Sequence, residues 1–158
     1  MFELKKTVAL VGMMGSGKSA IGKVVSSIIG VPFKDADVEI EQAAKLSIPE
    51  IFERHGEKFF RDKEDQIIKR LLREKCCILA TGGGAFMNKK IRAEILKNCT
   101  SFWLNWNDQV LIDRIKKSKK RPIALNSNKE ELIELIKKRS YIYSKAQYEI
   151  KCDNLSKN

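Results

Sequence analysis

Hydrophobic positions along the chain form short apolar runs that alternate with helical patterns. Thr7–Val11 is a short, largely β-branched run that ends at a glycine, so it predicts a buried strand. Ser19–Ile29 follows with helical spacing and is closed by Gly30, and Val31–Lys34 predicts a weak second strand. The other predicted strands are Cys76–Ala80, Ser101–Leu104 and Tyr148–Cys152, and the other predicted helices are Val38–Lys45, Ile48–Arg54 (with Ser47 as its N-cap), Lys58–Lys75, Asn88–Lys97, Asp108–Lys116 and Lys129–Lys145.

This alternation predicts an α/β fold, a parallel sheet with helices on both faces. The 158 residues suffice for one domain, which we expect to span residues 1–158. In such sheets ligands bind at the carboxyl ends of the strands. The loops that follow Val11, Lys34 and Ala80 are therefore expected to meet at one rim.

The first of these loops matches the phosphate-loop pattern GxxxxGK[ST] over residues 12–19, GMMGSGKS, between a predicted strand and a predicted helix. Its backbone N–H groups and the helix N-terminus favour bound phosphate. Lys18 is expected to reach the β- and γ-phosphates, and the Ser19 hydroxyl to ligate Mg²⁺. A GTPase would also need DxxG and NKxD segments, which the sequence lacks. The residues expected to bind ATP here are Gly15, Ser16, Gly17, Lys18, Ser19 and Ala20.

The other two loops carry two aspartates and three consecutive glycines. Asp35 and Asp37 lie at i and i+2 beyond a strand end, so their side chains are expected to point the same way. One carboxylate can face a metal and the other an acceptor hydroxyl, although this pattern by itself is more often a solvated loop. Gly82–Gly84 suit the close approach of a small polar substrate to the main chain, where a tight turn needs only one or two glycines.

Arginine is scarce in this chain, which has 23 lysines and 8 arginines. The planar guanidinium group of arginine can bind a carboxylate or a phosphate through two parallel hydrogen bonds. We therefore interpret Arg61 and Arg139 as a carboxylate clamp and Arg121 as a mobile phosphate clamp. Glu64 lies three residues after Arg61 and is positioned to hold its guanidinium. The alternative for each arginine is a surface ion pair. Arg114 is suited either to stacking on adenine or to capping its helix, and residues 116–128 resemble a lid that closes over phosphates.

Composition and net charge indicate which kinds of ligand the protein could bind. The net charge of +11 suits an anionic ligand, and because the excess is dispersed lysine we expect small molecules and no nucleic acid. No apolar run approaches the roughly 20 residues of a membrane span, and the N-terminus lacks a signal-peptide layout, so we expect a cytoplasmic protein. Four cysteines without a CxxC pair and one histidine predict buried thiols and no structural zinc. Trp103 and Trp106 are interpreted as packing residues.

The segments GMMGSGKS, DAD, FFRDKE, TGGGAF, KRPIAL and KKRSYIY, in this order, resemble the shikimate kinase family from about Thr7 to Ile150. The resemblance implies a five-stranded parallel sheet of the nucleoside-monophosphate-kinase type with a lid, and a substrate-binding segment at about 35–64. It implies transfer of phosphate from ATP to the 3-hydroxyl of shikimate in the pathway to aromatic amino acids. We separately expect a monomer. One alternative is a gluconate-type or nucleoside-monophosphate kinase. A second alternative, which rests only on the net charge of +11, is a basic nucleotide-dependent protein that binds nucleic acid.

The resemblance also implies a role for each site residue. Asp37 holds substrate hydroxyls and is the candidate general base, while Lys18 and Arg121 stabilise charge on the transferred phosphoryl group. Ser19 ligates Mg²⁺, with Asp35 acting through water. The implied substrate-binding residues are Asp37, Arg61, Gly82, Gly83, Gly84, Arg139, Phe52 and Phe60. The chain departs from the family pattern at Ala20, often a threonine, at Ile123–Leu125 in the lid, and after Asp153, where only five residues follow and adenine contacts near Asp153 and Asn154 stay open.

Overall fold

The computed structural model describes residues 2–118 and 127–153. Its strands are β1 (Thr7–Val11), β2 (Phe33–Asp35), β3 (Ile78–Ala80), β4 (Cys99–Asn105) and β5 (Tyr148–Lys151). Its helices are α1 (Lys18–Ile29), α2 (Ala36–Ala44), α3 (Ile48–Leu71), α4 (Lys89–Asn98), α5 (Asp108–Lys117) and α6 (Lys129–Tyr143), with a 3₁₀ turn at Ala85–Met87. Within the described residues no helix is long and apolar enough to cross a bilayer.

The five strands form one parallel sheet in the order β2-β3-β1-β4-β5, which confirms the predicted fold class. Ala80 of β3 is in register with Leu10 of β1 on one side and with Asp35 of β2 on the other. The strand ends that precede the three unusual loops are therefore level with one another. The loops meet at a single rim, as the sequence predicted.

Helix α3 is interrupted at the place where the sequence predicted a break between two helices, so that break is confirmed. It runs from Ile48 to Leu71 with a kink at Gly56, whose φ of +82° is the left-handed conformation that glycine tolerates best. Ser47 caps the start of the helix as predicted. Its side chain accepts a hydrogen bond from the Glu50 N–H, and the Glu50 carboxylate accepts one from the Ser47 N–H. The kink separates Phe52 from Phe60, yet their ring centroids lie 4.9 Å apart. Both rings therefore contribute to the same apolar surface.

The core fills the space between the sheet and its helices, with Leu79 of β3, Ile68 of α3 and Ile95 of α4 fully buried. Burying each such side chain contributes roughly 1.5–3 kcal/mol. All four cysteines are free, and three of them are buried. Burial raises the pKa of Cys99 to about 12, so this thiol stays protonated at neutral pH and packs as a small apolar group.

Candidate active site

The phosphate loop joins the end of β1 to the start of α1. Gly15 and Gly17 have φ values of +80° and +83°, so the chain reverses here through conformations that side chains with a Cβ rarely adopt. Lys18, the first residue of α1, is buried, and its Nζ donates to the carbonyl oxygens of Gly12 at 2.7 Å and Met13 at 2.9 Å. The lysine ammonium therefore lies within the curve of the loop, beside the main chain that a phosphate would contact.

The two predicted metal ligands contact each other at the next strand end. The Ser19 hydroxyl donates to Oδ2 of Asp35. The other carboxylate oxygen of Asp35 caps α2, accepting from the backbone N–H of Asp37 at 2.9 Å. These bonds hold the Asp35 carboxylate toward the phosphate loop. Among the described residues no group of three or more His, Cys, Asp or Glu side chains could hold a metal ion.

A pocket beside the phosphate loop contains every side chain and glycine that the sequence predicted for the substrate. The space between its lining residues, with the open mouth included, is about 410 Å³. Ile48, Phe52 and Phe60 are its large apolar lining residues, and Cζ of Arg61 lies 5.1 Å from the centroid of the Phe60 ring. The lining residues are Met14, Asp37, Ile48, Phe52, Phe60, Arg61, Glu64, Gly82, Gly83, Gly84 and Arg139.

The three glycines make room for charged side chains of the pocket. A Cβ on Gly82 would lie 2.9 Å from Oδ1 of Asp37 and 2.9 Å from Oε2 of Glu64. A Cβ on Gly84 would lie 2.6 Å from Nη2 of Arg61, and one on Gly83 would lie 3.3 Å from Nη1 of Arg139. The sequence interpretation, close approach of a substrate to bare main chain, stays a prediction. The structure adds that charged side chains of the protein itself already occupy the space that a Cβ on each of these glycines would fill.

Glu64 is the buried acid of the pocket, with a side chain that is 1% exposed. Nη1 of Arg61 donates to its Oε1 at 3.1 Å, so the predicted i, i+3 contact is confirmed. Burial raises the pKa of Glu64, and the nearby Asp37 carboxylate raises it further, while Arg61 and Arg139 oppose that shift. Oε2 of Glu64 and Nη1 of Arg139 are buried and make no hydrogen bond within the part of the chain that the structure describes. Buried polar atoms of this kind favour a polar ligand.

Arg139 enters the pocket from α6. It is 7% exposed, which excludes the alternative of a surface ion pair. Tyr143, four residues further on the same helix face, donates its hydroxyl hydrogen bond to the carbonyl oxygen of Gly83. This tyrosine ties α6 to the glycine loop. Sequence reasoning gave Tyr143 no role of its own, and its only signal was its place in the segment KKRSYIY.

Arg114 and Trp106 both donate hydrogen bonds to carbonyl oxygens of the phosphate loop. Nη1 of Arg114 donates to the Gly15 carbonyl at 3.1 Å, and its Cζ lies 4.1 Å from the centroid of the Trp106 ring. Nε1 of Trp106 donates to the Ser16 carbonyl at 2.8 Å. The interpretation of Trp106 as a packing residue missed this polar contact, because sequence spacing does not indicate where an indole N–H points.

Some of the predicted site residues are not described by the structure, and others lie outside the phosphate loop and the lining of the pocket. Arg121, residues 119–126 of the proposed lid, and Asn154 lie outside the described residues. Ala20 is exposed on the first turn of α1, next to Ser19. Asp153 accepts from the Asn107 N–H at 2.7 Å, which joins the end of β5 to the start of α5.

Comparisons with known proteins agree with one another. A family model described as Shikimate kinase matches residues 14–158. A shikimate kinase of Ruegeria pomeroyi is 46% identical over 144 residues, which are 90% of this chain and 74% of that protein. One from Cereibacter sphaeroides is 46% identical over 147 residues, 92% of this chain and 74% of that protein.

Solved structures give the same result. A shikimate kinase from Acinetobacter baumannii in complex with shikimate has a TM-score of 0.91 and 33% identity, and the match covers 98% of this chain and 87% of that chain. A gluconokinase from Sinorhizobium meliloti has a TM-score of 0.54 and 12% identity, covering 95% of this chain and 84% of that chain. The second match supports a shared fold alone.

Proposed function

The chain belongs to the shikimate kinase family, and we propose that its phosphate loop and pocket together transfer the γ-phosphoryl group of ATP to the 3-hydroxyl of shikimate. The observation that carries this proposal is the contact between the two sites. Met14 belongs to the phosphate loop and also lines the pocket, and a Cβ on Gly83 would lie 3.2 Å from the Met14 backbone nitrogen. A phosphate held by the loop and a substrate in the pocket are therefore neighbours.

ATP binds through its phosphates to the loop between β1 and α1. Lys18 moves its ammonium from the loop carbonyls to the β- and γ-phosphate oxygens, which carry more charge. Arg114 stacks against the adenine, and it is supported in this by the Trp106 ring that lies beneath it. Arg121 and the surrounding lid, residues 116–128, close over the phosphates and exclude water.

Shikimate lies in the pocket with its carboxylate between Arg61 and Arg139. Two guanidinium groups suit one carboxylate because each presents a planar pair of donors. The Phe52 and Phe60 rings pack against the apolar side of the substrate ring. Asp37 accepts hydrogen bonds from the substrate hydroxyls, and Gly82–Gly84 form the floor.

In the reaction the substrate O3 attacks the γ-phosphorus, and the bond from that phosphorus to the oxygen of ADP breaks. The hydroxyl proton passes to the Asp37 carboxylate. Lys18 and Arg121 stabilise the negative charge on the transferred group and on ADP. Positioning and electrostatics supply most of the rate acceleration in phosphoryl transfer, so fixed side chains around both substrates suffice.

Mg²⁺ fits the oxygen donors at the end of β2. The Ser19 hydroxyl would ligate it and Asp35 would hold it through water, a donor set of the kind that Mg²⁺ uses together with nucleotide phosphates. When bound, the ion would supply positive charge that offsets the negative charge of the nucleotide phosphates. We further propose a monomeric, cytoplasmic enzyme whose partners are ATP and shikimate, without nucleic acid or membrane.

The test is ADP release from ATP and Mg²⁺, measured in a coupled assay with shikimate, gluconate or AMP as acceptor. We expect only shikimate to stimulate release substantially, because its carboxylate and hydroxyls match the pocket. Equal stimulation by gluconate would favour the alternative small-molecule kinase. Equal release with and without every acceptor would contradict the proposal.

A further inference from the structure

Trp106 lies in the two-residue connection between β4 and α5, and hydrogen bonds hold its neighbours on both sides. The carbonyl of Asn105 accepts from the Cys152 N–H at 2.8 Å, and the Asn107 N–H donates to Asp153 at 2.7 Å. The Asn107 side chain also caps α5 by accepting from the Val110 N–H at 2.9 Å. Trp106 therefore projects from a connection whose backbone is fixed from both ends, which makes it a suitable support for another segment.

The indole holds one peptide group of the phosphate loop in a defined orientation. Nε1 of Trp106 donates to the Ser16 carbonyl oxygen at 2.8 Å. That carbonyl belongs to the same planar peptide as the Gly17 N–H, and in a trans peptide the two groups point in opposite directions. Fixing the carbonyl toward Trp106 therefore turns the Gly17 N–H away from Trp106.

Arg114 does the same for the preceding peptide group. Its Nη1 donates to the Gly15 carbonyl at 3.1 Å, and the Ser16 N–H of that peptide points inward and donates to the Met13 carbonyl at 3.1 Å. The guanidinium in turn lies over the Trp106 ring, with 4.1 Å between Cζ and the ring centroid. Two consecutive carbonyls are thus held from outside by a pair of side chains that also contact each other.

We propose that Trp106 is a positioning residue for nucleotide binding: it holds the Ser16 carbonyl and holds Arg114 in place, so that the phosphate loop keeps its shape and presents the Gly17 N–H to the nucleotide phosphates. This inference rests on the proposed function of the loop. It assigns Trp106 no contact with the transferred group. Its effect should appear in the affinity for nucleotide, and the acceptor pocket should be unaffected.

Two substitutions at this position separate the two contacts. Trp106→Phe removes the N–H and keeps an aromatic face for Arg114, whereas Trp106→Leu removes both. Loss of one hydrogen bond of ordinary net strength corresponds to a factor of about 3 to 10. We expect Trp106→Phe to raise the KM for ATP and the Kd for ADP by that factor. Trp106→Leu should raise both further, and the KM for shikimate should stay within twofold in each variant.

The matched control is Trp103→Phe, which removes the other tryptophan of the chain from strand β4. Trp103 is buried beside Tyr143, so this variant should lower the melting temperature and leave the KM for ATP within twofold. A Trp106→Phe enzyme with unchanged KM for ATP, or with equal increases in KM for both substrates, would overturn the inference. The wild-type enzyme is assayed with shikimate alongside the variants. If it is active, the proposed function holds, and an unchanged variant counts only against the role of Trp106.

A second measurement does not depend on the folding of the Trp106 variants. In Trp103→Phe, Trp106 is the only tryptophan, so its emission reports on the contact with the phosphate loop. We expect saturating ADP with Mg²⁺ to change the intensity or wavelength of that emission, and shikimate alone to change it less. An emission spectrum that ADP leaves unaltered, or that shikimate alters as much as ADP does, would also overturn the inference.

Discussion

The phosphate loop and the acceptor pocket share one rim of the sheet, but they are built in different ways. The loop is one stretch of eight consecutive residues, Gly12–Ser19, and it offers main-chain groups and a single buried ammonium. The pocket takes its charged side chains from separate elements, with Asp37 on α2, Arg61 and Glu64 on α3, and Arg139 on α6. A site made of consecutive residues is encoded by a local pattern, whereas a site assembled across the fold depends on the topology of the sheet.

Glycine also has a different purpose in each region. In the phosphate loop, Gly15 and Gly17 adopt positive φ, so the backbone conformation itself requires them. In the pocket, Gly82–Gly84 have no positive φ, and a Cβ there would instead meet the side chains of Asp37, Glu64, Arg139 or Arg61. Substitution in the first region strains the chain, and substitution in the second displaces a neighbour. The two regions should therefore respond separately to mutation.

The largest expected effect concerns Asp37. Asp37→Asn keeps the shape of the side chain and removes its capacity to accept a proton, so we expect turnover to fall by about 10²- to 10⁴-fold. The Kd for ADP should stay near its wild-type value, because Asp37 lines the pocket proposed for shikimate. Asp62→Asn, an exposed position on α3, is the control and should keep wild-type turnover. Near-normal turnover in Asp37→Asn would exclude it as the general base.

A medium effect is expected for Gly84→Ala. The added methyl group would lie 2.6 Å from Nη2 of Arg61, and the end of a long side chain can move to relieve this contact. The melting temperature should therefore change little. The clamp would be displaced, so we expect the KM for shikimate to rise by about 10- to 100-fold, with an unchanged KM for ATP. A parallel rise in both KM values would show that the two regions are not independent.

The smallest expected effect concerns the pH dependence of stability. The pKa of Glu64 is raised by burial, with Arg61 and Arg139 opposing and Asp37 adding to the shift. Between its ordinary value of 4.5 and the raised value, the folded protein binds more protons at this site than the unfolded chain. This carboxyl therefore makes the free energy of unfolding fall as pH rises through that window, by at most about 1.4 kcal/mol per pH unit.

Glu64→Gln removes the titrating carboxyl group and keeps an oxygen that can accept the hydrogen bond from Arg61. Urea unfolding of both proteins from pH 4.5 upward measures the difference, since most other titrating groups are common to the two. We expect the wild type to lose stability relative to the variant as pH rises, and the difference to become constant at higher pH. A relative gain of wild-type stability with rising pH would mean that the ion pair with Arg61 outweighs burial.

Several parts of this site followed from the sequence. The phosphate loop was complete in eight residues, and the contact between Arg61 and Glu64 followed from helical spacing. The pattern of Asp35 and Asp37 did not by itself distinguish a functional site from a solvated loop. The predicted position of these residues beside the phosphate loop favoured the functional site. The polar contacts of Tyr143 and Trp106 were missed, because their partners lie 60 and 90 positions away in the chain. No local pattern indicates a hydrogen bond across that separation.

By itself, the sequence determined the parallel sheet, the order of its elements and the anion-binding loop, because hydrophobic periodicity and glycine conformations act over neighbouring residues. Only the tertiary structure decided that Glu64 is a buried acid, that the glycine triplet accommodates charged side chains, and that the indole of Trp106 braces the phosphate loop. Burial and long-range hydrogen bonds depend on which surfaces the strand order brings together, and that order is a property of the folded chain as a whole.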